Sequence, residues 1–307
     1  MKKRIISLIL TGIMSFSLLA GCTKTAGSGS KGTSGSIAAV KKLSDGTYEV
    51  TVAVLDGMAP YTYTDEKGKM QGYDYEWMKA VDEKLKDYKF KYVSVSADAA
   101  PAAIQAGTYA FSCSAHFVTP ARKKNFILGI PDAYYPVNLI SKKEDSFKKF
   151  EDLDNKSLVP NPPNDGLSVV LSDMHQKYPD VKYTQDPTSE YIPYLDGLND
   201  VISGKYDCWF GGETMYNDLV KSDSSLASKT YCSDPVTTAP CVPVFNKSLT
   251  DLREAVNEAT VELYKDGTLK NLSDKWLGKD YIQVAKDTGS LFDYDGYSKD
   301  KADWYND

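Results

Sequence analysis

The sequence has few of the residues on which metal sites and many active sites depend. Among 307 residues there are only two histidines, His116 and His175. Zinc ligands recur at short, fixed spacings, and this pair has no such spacing. Phosphate-binding glycine loops and a recognisable nucleophile–base pair are also missing. We therefore predict that the chain binds no metal and no cofactor and that it is not an enzyme.

Long hydrophobic runs are scarce as well, since the one run that stands out lies at the N-terminus. Basic residues at positions 2–4 precede an apolar run from Ile5 to Leu19. Basic residues followed by a short apolar run are typical of a secretory signal peptide. The run ends in Leu-Ala-Gly-Cys, which resembles the lipobox of bacterial lipoproteins. That resemblance implies cleavage of residues 1–21 and a lipid anchor on Cys22, at the extracellular face of the cell membrane.

The segment after this cysteine has almost no large apolar side chain. Residues 22–45 are mainly Gly, Ser, Thr, Lys and Ala, a composition that predicts a flexible, lipid-anchored linker. Removal of residues 1–21, which contain three basic residues, leaves 33 basic and 42 acidic residues and a net charge of −9. This acidic balance argues against nucleic acid as a partner.

Strand and helix patterns alternate in the part that follows. Tyr48 to Val54 has the alternating, then apolar pattern of a strand, and Tyr75 to Leu85 spaces its apolar residues as a helix does. A second strand pattern, Phe90 to Val95, precedes a second helix pattern, Ala99 to Ala106. This alternation predicts an α/β fold with a mostly parallel sheet.

A short internal repeat indicates two similar halves. Residues 105–110, QAGTYA, resemble residues 202–207, ISGKYD. Each copy follows a helical pattern and precedes an aromatic strand that contains a cysteine. A duplication of this kind predicts two α/β lobes, the second running from about Leu139 to Asp234.

The segment from Ile104 to Phe126 predicts an anion-binding site. After a buried strand at residues 109–113, Thr119 and Pro120 are the residue types preferred at the N-cap and first position of a helix. Arg122 then falls in the first helical turn, where positive charge is normally unfavourable. An anion bound between this arginine and backbone N–H groups would explain the placement. The alternative is a surface arginine in a cationic run.

Three longer motifs follow one another in a characteristic order. They are APYTYTDEKGKMQGYDYEWMKAVDEKL, IQAGTYAFSCSAHFVTPARKKNF and LYKDGTLKNLSDKWLG. Together they resemble the extracellular solute-binding proteins of family 3, the amino-acid-binding components of ABC importers. The resemblance extends over roughly residues 46–282.

This resemblance implies a type II periplasmic-binding-protein fold, in which two α/β lobes joined by two hinge strands enclose a ligand. It assigns residues 46–138 and 243–282 to lobe 1 and residues 139–242 to lobe 2. Residues 283–307 form an acidic tail without an assigned role. The implied protein is a monomer that passes a small carboxylate solute, an amino acid or a derivative, to the permease of an ABC importer.

The family pattern also implies the ligand-binding residues. Arg122 is expected to hold the α-carboxylate of the ligand, assisted by backbone N–H near Ser114. Tyr61 is expected to stack on the ligand side chain. Asp165 and Ser168, at the start of a lobe 2 helix, are expected to supply polar contacts.

Three positions depart from that pattern. Phe117 stands where a threonine or serine commonly helps to bind the carboxylate, and Ala110 replaces a usual aspartate. Glu213 is one residue beyond the position of the acid that grips the α-amino group. The carboxylate half of the site is thus better supported than the amine half. Rings expected near the cleft are Phe117, Tyr191, Tyr194, Trp209 and Phe210, and such rings favour an apolar, aromatic or cationic ligand side chain.

Two further questions stay open at this point. Export permits disulfides, and Cys232 with Cys241 is the pair closest in sequence, whereas Cys113 and Cys208 are expected in the core. For the function, two alternatives on the same fold are a secreted dehydratase-like enzyme and a sensor lipoprotein. The enzyme lacks support, because Glu213 and His116 are the only obvious acid or base candidates.

Overall fold

The computed structural model describes residues 37–163, 165–301 and 303–306. The predicted signal peptide, the predicted lipidation site Cys22 and the first part of the predicted linker lie outside these residues. Two six-stranded sheets with helices packed against them form the structure. Within the ranges given above, none of the helices has the length and apolarity needed to span a membrane.

The first sheet belongs to lobe 1 and runs in the order β1-β2-β6-β14-β7, with β5 paired to β2. Its strands are β1 (Val40–Lys42), β2 (Tyr48–Leu55), β5 (Tyr88–Val95), β6 (Phe111–Ser112), β7 (Ile127–Leu128) and β14 (Val244–Phe245). Strand β2 is parallel to β5 and β6, whereas β14 is antiparallel to its neighbours. A small hairpin of β3 (Tyr63–Thr64) and β4 (Met70–Gln71) lies apart from this sheet.

The helices of lobe 1 come from both ends of the described chain. They are α1 (Tyr73–Lys84), α2 (Ala100–Gln105), α3 (Pro120–Asn125), α8 (Thr250–Lys265), α9 (Thr268–Leu277) and α10 (Tyr281–Asp287). Of the apolar stripe predicted for α1, Trp77, Met78 and Val81 are fully buried. Leu85, the fourth member, is the C-cap of the helix and is half-buried. In the same buried cluster the rings of Phe111 and Phe245 stack with centroids 4.7 Å apart. Residues from distant parts of the sequence therefore complete one core.

The second sheet belongs to lobe 2 and runs in the order β10-β9-β11-β8-β12, with β13 paired to β8. Its strands are β8 (Ala133–Lys142), β9 (Lys156–Leu158), β10 (Tyr183–Gln185), β11 (Cys208–Gly211), β12 (Thr230–Cys232) and β13 (Thr237–Cys241). Its helices are α4 (Gly166–Lys177), α5 (Tyr194–Ser203), α6 (Glu213–Ser222) and α7 (Leu226–Lys229), preceded by a short 3₁₀ turn at Phe150–Leu153.

The connection between the lobes consists of two adjacent antiparallel strands. The first half of β8, residues 133–137, pairs with β13, and its second half pairs with β11 and β12. One end of β8 thus lies at the lobe boundary and the other deep in lobe 2. The predicted α/β fold with two lobes and two hinge strands is confirmed; the boundaries at residues 138, 242 and 282 stay predictions. The prediction of a mostly parallel sheet is wrong, because β8 and β14 run antiparallel to every strand they pair with, so both sheets are mixed.

The internal repeat corresponds to the same three elements in each lobe. Helix α2, Gly107 and β6 follow one another in lobe 1, as α5, Gly204 and β11 do in lobe 2. Both glycines have left-handed backbone, with φ of 76° and 80°. A residue with a Cβ is strained in this conformation, so glycine ends both helices. The strands that follow are each parallel to an earlier strand of their lobe.

The predicted end of the flexible linker requires correction. Residues 40–42 form strand β1, in which Val40 pairs with Val50 of β2. The N–H of Ala39 donates to the carbonyl of Gly107 at 2.9 Å, and Ala39 is buried. Pairing with β2 and the burial of Ala39 order this short edge strand, although two of its three residues are lysines. The average composition of residues 22–45 gives no indication of this strand.

The four cysteines of the body are all free. Cys232 pairs with Ile140 of β8, and Cys241 pairs with Ala133, which is seven residues earlier in the same strand. Seven strand residues span about 23 Å, whereas a disulfide needs Cα atoms within about 7 Å. The geometry therefore excludes a Cys232–Cys241 bridge. Cys113 and Cys208 are fully buried, as expected.

The acidic tail packs onto lobe 1 and the hinge. Tyr294 is 1% exposed, stacks on Tyr264 at 4.2 Å, and donates its hydroxyl hydrogen to the carbonyl of Pro131 at 2.8 Å. The hydroxyl oxygens of Ser290 and Thr238, the latter on hinge strand β13, are 2.6 Å apart. The tail is thus a structural part of the fold, which its polar, tyrosine-rich composition did not predict.

We expect Tyr294→Ala to lower the free energy of unfolding by about 3–5 kcal/mol, the usual cost of removing a buried aromatic ring. Tyr294→Phe keeps the ring and loses only the hydroxyl contacts, so its cost should be about 1 kcal/mol. Urea denaturation followed by circular dichroism measures both. A Tyr294→Ala variant as stable as the wild type would show that the tail contributes nothing to stability.

Candidate functional site

A cavity of about 420 Å³ lies between the two lobes. We call it the aromatic chamber, because rings from both lobes and the hinge form much of its wall. These rings are Tyr61, Phe117, Tyr135, Tyr191, Tyr194 and Trp209. Of the described residues that line it, only Asp165 carries a formal charge. The chamber is therefore apolar with one acidic position.

Two ring pairs face the chamber from different elements. Phe117 meets Tyr135 of hinge strand β8 edge-to-face, with centroids 5.1 Å apart. On lobe 2, Tyr194 and Trp209 approach to 5.5 Å. Phe210, the next residue on β11, is fully buried in the lobe 2 core instead. Side-chain alternation along the strand explains this difference between neighbouring rings.

A second cavity, of about 430 Å³, adjoins the first. We call it the arginine chamber, since Arg122 lines it together with Thr119, the N-cap of α3, and Asn125, its last residue. The two chambers share four lining residues: Ala115, Phe117, Asp165 and Tyr191. A ligand that extends from one chamber into the other, along this shared wall, would contact both the aromatic rings and Arg122.

Helix α3 places Arg122 as the sequence predicted. Thr119 is the N-cap, and its Oγ1 accepts a hydrogen bond from the backbone N–H of Arg122 at 3.2 Å. Nη1 of Arg122 donates to the carbonyl of Phe117 at 2.8 Å. Burial lowers the pKa of Arg122, while nearby Tyr191 and Asp165 raise it. A guanidinium has five donors, and one is used among the described residues, so Arg122 can bind a further acceptor.

Asp165 reaches the shared wall from the opposite lobe. It is the N-cap of α4, and its Oδ2 accepts from the N–H of Leu167 at 3.0 Å. Its Oδ1 accepts a hydrogen bond from the hydroxyl of Tyr191. Asp165 is absent from the ion pairs formed by the described residues. The structure therefore brings Arg122, Phe117 and Asp165 together at one boundary between the lobes.

The two predicted serines lie deeper. Ser114 is buried, and its Oγ is 2.6 Å from Oγ1 of Thr62. Ser168 donates its hydroxyl hydrogen to the carbonyl of Pro162 at 2.9 Å, which supports the loop before α4. Neither serine is among the described residues that line the two chambers, whereas Tyr61 lines the aromatic chamber.

Glu213 is turned away from the other predicted site residues. Its Oε1 accepts from the hydroxyl of Tyr281 at 2.7 Å and lies 3.6 Å from Nζ of Lys279. Its backbone N–H donates to Oδ1 of Asn138 at 2.9 Å, which fixes the start of α6. Glu213 is not among the described lining residues of either chamber, so the structure does not place it beside Arg122.

His116 is a packed residue near the site. Its Nε2 is 2.9 Å from Oγ of Ser112. Burial, with a smaller effect of Arg122, lowers the pKa of His116 to about 3. The ring is therefore neutral at physiological pH and cannot supply a positive charge to an anion.

A pair of buried acids lies behind the site and was not predicted. The acid groups of Asp74 and Asp132 and the thiol of Cys113 are within 4.8 Å of one another, and all three residues are fully buried. Asp74 accepts a hydrogen bond from the N–H of Ala115 at 2.7 Å, and Ala115 has a left-handed backbone with φ of 47°. Asp74 thus holds the loop that contributes Ala115 to the shared wall.

These two acids are best described as sharing a proton. Burial raises the pKa of Asp74 to about 6, while the nearby acid group of Asp132 opposes this shift. Burial, and then the charge of Asp74, raises the pKa of Asp132 well above its usual value. Burial also raises the pKa of the Cys113 thiol, whereas a metal ligand must be a thiolate. Within the described part of the chain, Asp74, Cys113 and Asp132 are the one cluster of acids and thiols close enough to hold a metal. Their raised pKa values favour bound protons over a metal ion.

The lobes approach closely where Phe117 meets Gly166, the first residue of α4. A Cβ built on Gly166 would lie 1.9 Å from Cδ2 of Phe117 and 2.9 Å from its Cβ. No L-residue with a side chain fits there without moving Phe117 or separating the lobes. Glycine at this position therefore permits the present distance between the lobes.

Comparison with known proteins places these features in a family. The model of the bacterial extracellular solute-binding proteins, family 3, matches residues 50–279. The L-cystine-binding protein TcyK of Bacillus subtilis is 26% identical over 229 residues, which cover 71% of this chain and 80% of TcyK.

Solved structures show a similar fold. The extracellular-binding protein ytmK from Bacillus subtilis superposes with a TM-score of 0.61 at 23% identity, covering 76% of this chain and 100% of that one. A structure from work on glutathione import through GshT of Streptococcus mutans gives 0.56 at 24% identity, covering 76% and 95%.

The acid pair should make stability depend on pH. Because the pKa of Asp132 is raised in the folded protein, its contribution to the free energy of unfolding is complete below the usual pKa of an aspartate. That contribution is lost as the pH rises towards the raised pKa. His116 acts oppositely, since its lowered pKa makes stability fall as the pH drops from 6.5 towards 3. Asp132→Asn removes the first effect and leaves that of His116 in place. Its stability relative to the wild type should therefore increase between pH 4 and pH 7, by about 1–3 kcal/mol.

Urea titrations at pH 4, 5, 6 and 7 measure this difference. Asp98→Asn, which changes an exposed aspartate, is the matched control and should follow the wild type at every pH. An Asp132→Asn curve parallel to that of the wild type would contradict the shared-proton description.

Gly166→Ala should hold the lobes further apart, because the new Cβ meets Phe117. We expect a larger radius of gyration in small-angle X-ray scattering and at least about fivefold weaker binding of any ligand that contacts both lobes, a loss of about 1 kcal/mol. Ser172→Ala, at an exposed position of the same helix, is the control. Unchanged scattering and affinity in Gly166→Ala would show that the contact is not needed for closure.

Proposed function

Because the chain belongs to the bacterial extracellular solute-binding proteins of family 3, we propose that it binds an amino acid or a related small carboxylate between its lobes and delivers it to the permease of an ABC importer. The family and its named relatives are solute-binding proteins and not enzymes, which confirms the prediction that the chain is not an enzyme. The dehydratase-like alternative is thereby removed.

The observation that carries the proposal is the pair of connected chambers between the lobes. At one end, the guanidinium of Arg122 from lobe 1 makes one hydrogen bond to the residues that the structure describes, and its other donors remain for a ligand. At the other end, six rings provide an apolar surface. A carboxylate accepts two parallel hydrogen bonds from a guanidinium, which gives both strength and orientation. A solute with a carboxylate and an apolar, aromatic or cationic side chain matches both ends.

Named relatives support this class of solute. TcyK is an L-cystine-binding protein, and GshT serves glutathione import. Cystine and glutathione both carry carboxylate and ammonium groups. Their side chains differ greatly, so the shared head-group chemistry is what they support for this chain.

The proposed mechanism is closure of the lobes about the two hinge strands. A ligand held by residues of both lobes stabilises the closed state by its extra contacts there, and the closed state is what the permease recognises. Lipidation at Cys22 would keep the protein at the extracellular face of the membrane, near the permease. Strands β8 and β13 provide the bending region, since they connect the lobes side by side.

The test is a thermal-shift screen of amino acids and small carboxylates, followed by calorimetry. A ligand at 100 times its Kd should stabilise the protein by about 2.7 kcal/mol. We expect Arg122→Ala to weaken binding of such a ligand about 10- to 100-fold, because a charge-assisted contact contributes about 1.5–3 kcal/mol. Lys124→Ala, at an exposed cation of the same helix, should bind as the wild type does.

The outcome against the proposal is equally specific. A ligand without an anionic group that binds the wild type and Arg122→Ala with the same affinity would rule out this carboxylate site. Delivery is tested separately, by uptake of the labelled ligand in cells with and without the gene. Binding without any change in uptake would favour a sensor over a transporter.

A further inference from the structure

The acid expected to bind the ligand's amino group already has partners. Glu213 accepts a hydrogen bond from Tyr281 and lies near the ammonium group of Lys279. Its side chain is 19% exposed, and it faces the junction of α9 and α10. For Glu213 to reach a ligand beside Arg122, it would have to leave both partners. The amine half of the site therefore needs another acid.

Asp165 has the position and the chemistry for that role. It lines both chambers, and no other charged side chain is among the described residues that line the aromatic chamber. Its two hydrogen bonds come from neutral donors, the N–H of Leu167 and the hydroxyl of Tyr191. A carboxylate has about four acceptor positions, so about two remain for a ligand. The negative charge itself has no cation partner in the described ion pairs.

The two hydrogen bonds also fix the direction of this carboxylate. The bond from Leu167 ties Oδ2 to the first turn of α4, and the bond from Tyr191 ties Oδ1 to the loop before α5. A group held at both oxygens needs little reordering when a ligand arrives, which favours affinity. Rings of Phe117 and Tyr191 in the shared wall add attraction for a cation.

Arg122 and Asp165 are opposite charges on opposite lobes that line one chamber. They are not among the ion pairs within 4.0 Å in the described residues, so space remains between them. We propose that Asp165, in place of Glu213, binds the ammonium group of the ligand, and that Arg122 and Asp165 together select a zwitterionic α-amino-acid head group. The ligand side chain then occupies the aromatic chamber. This inference rests on the proposed function and names the head group that it accepts.

The probes are the twenty standard amino acids, and for each one that binds, its deaminated analogue with hydrogen in place of the α-ammonium group. Calorimetry compares the whole protein with Asp165→Asn and Glu213→Gln. Asparagine keeps an oxygen for the helix cap, so the fold should persist. Asp165→Ser, which also caps a helix, is the second variant, and Asp173→Asn on the same helix is the control.

We expect Asp165→Asn to weaken amino-acid binding about tenfold or more, the loss of a charge-assisted bond, with about a twofold change at most for the deaminated analogue. Asp165→Ser should act in the same way, while Glu213→Gln and Asp173→Asn should change neither affinity. Together these results would establish Asp165 as the ammonium-binding residue.

The opposite results separate the two proposals. Amino-acid binding that survives Asp165→Asn unchanged, or that is lost in Glu213→Gln instead, overturns the inference and leaves the proposed function intact. If the wild type binds deaminated carboxylates but no amino acid, the inference about Asp165 is likewise overturned and the proposed function remains. If no carboxylate binds the wild type, the proposed function fails, and the inference fails with it.

Discussion

The pairing of strand β8 is the constraint on which the rest of the structure depends. Its first five residues pair with β13 and its remaining residues with β11 and β12, so one strand belongs to the hinge and to the lobe 2 sheet. This register places Tyr135 in the wall of the aromatic chamber and Asn138 against the start of α6. A slip of one residue would turn every side chain of β8 to the other face. The hinge, the chamber and the direction of Glu213 thus follow from one set of backbone hydrogen bonds.

Much of the fold could be predicted from local patterns. The helical stripe of Trp77, Met78 and Val81 and the repeated helix–glycine–strand unit are short-range signals, and both appear in the structure as expected. The tail and strand β1 gave no such signal. Their stability comes from a few contacts with distant residues, such as Tyr294 with Tyr264. Composition averages over a segment and does not reveal isolated anchors of this kind.

The site was predictable to a similar degree. The capping preferences of Thr119 and Pro120 are local, and helix α3 begins where they predict, with Arg122 in its first turn. The direction of Glu213 is different, because it depends on Tyr281 and Asn138, which are distant in sequence. The buried pair of Asp74 and Asp132 was missed for the same reason: their proximity exists only after folding. Spacing in a sequence indicates which residues could bind a ligand, and tertiary contacts determine which of them are available.

Trp209 has an optical consequence. The chain contains four tryptophans, and Trp209 is the one among the described lining residues of the two chambers. Trp77 is sealed in the core of lobe 1, while Trp276 lies on α9 and Trp304 in the tail. Indole fluorescence depends on the polarity and contacts of the ring, so a ligand in the aromatic chamber acts directly on the emission of Trp209. The protein therefore contains its own fluorescent reporter, whose signal varies with the contents of the aromatic chamber and needs no attached dye.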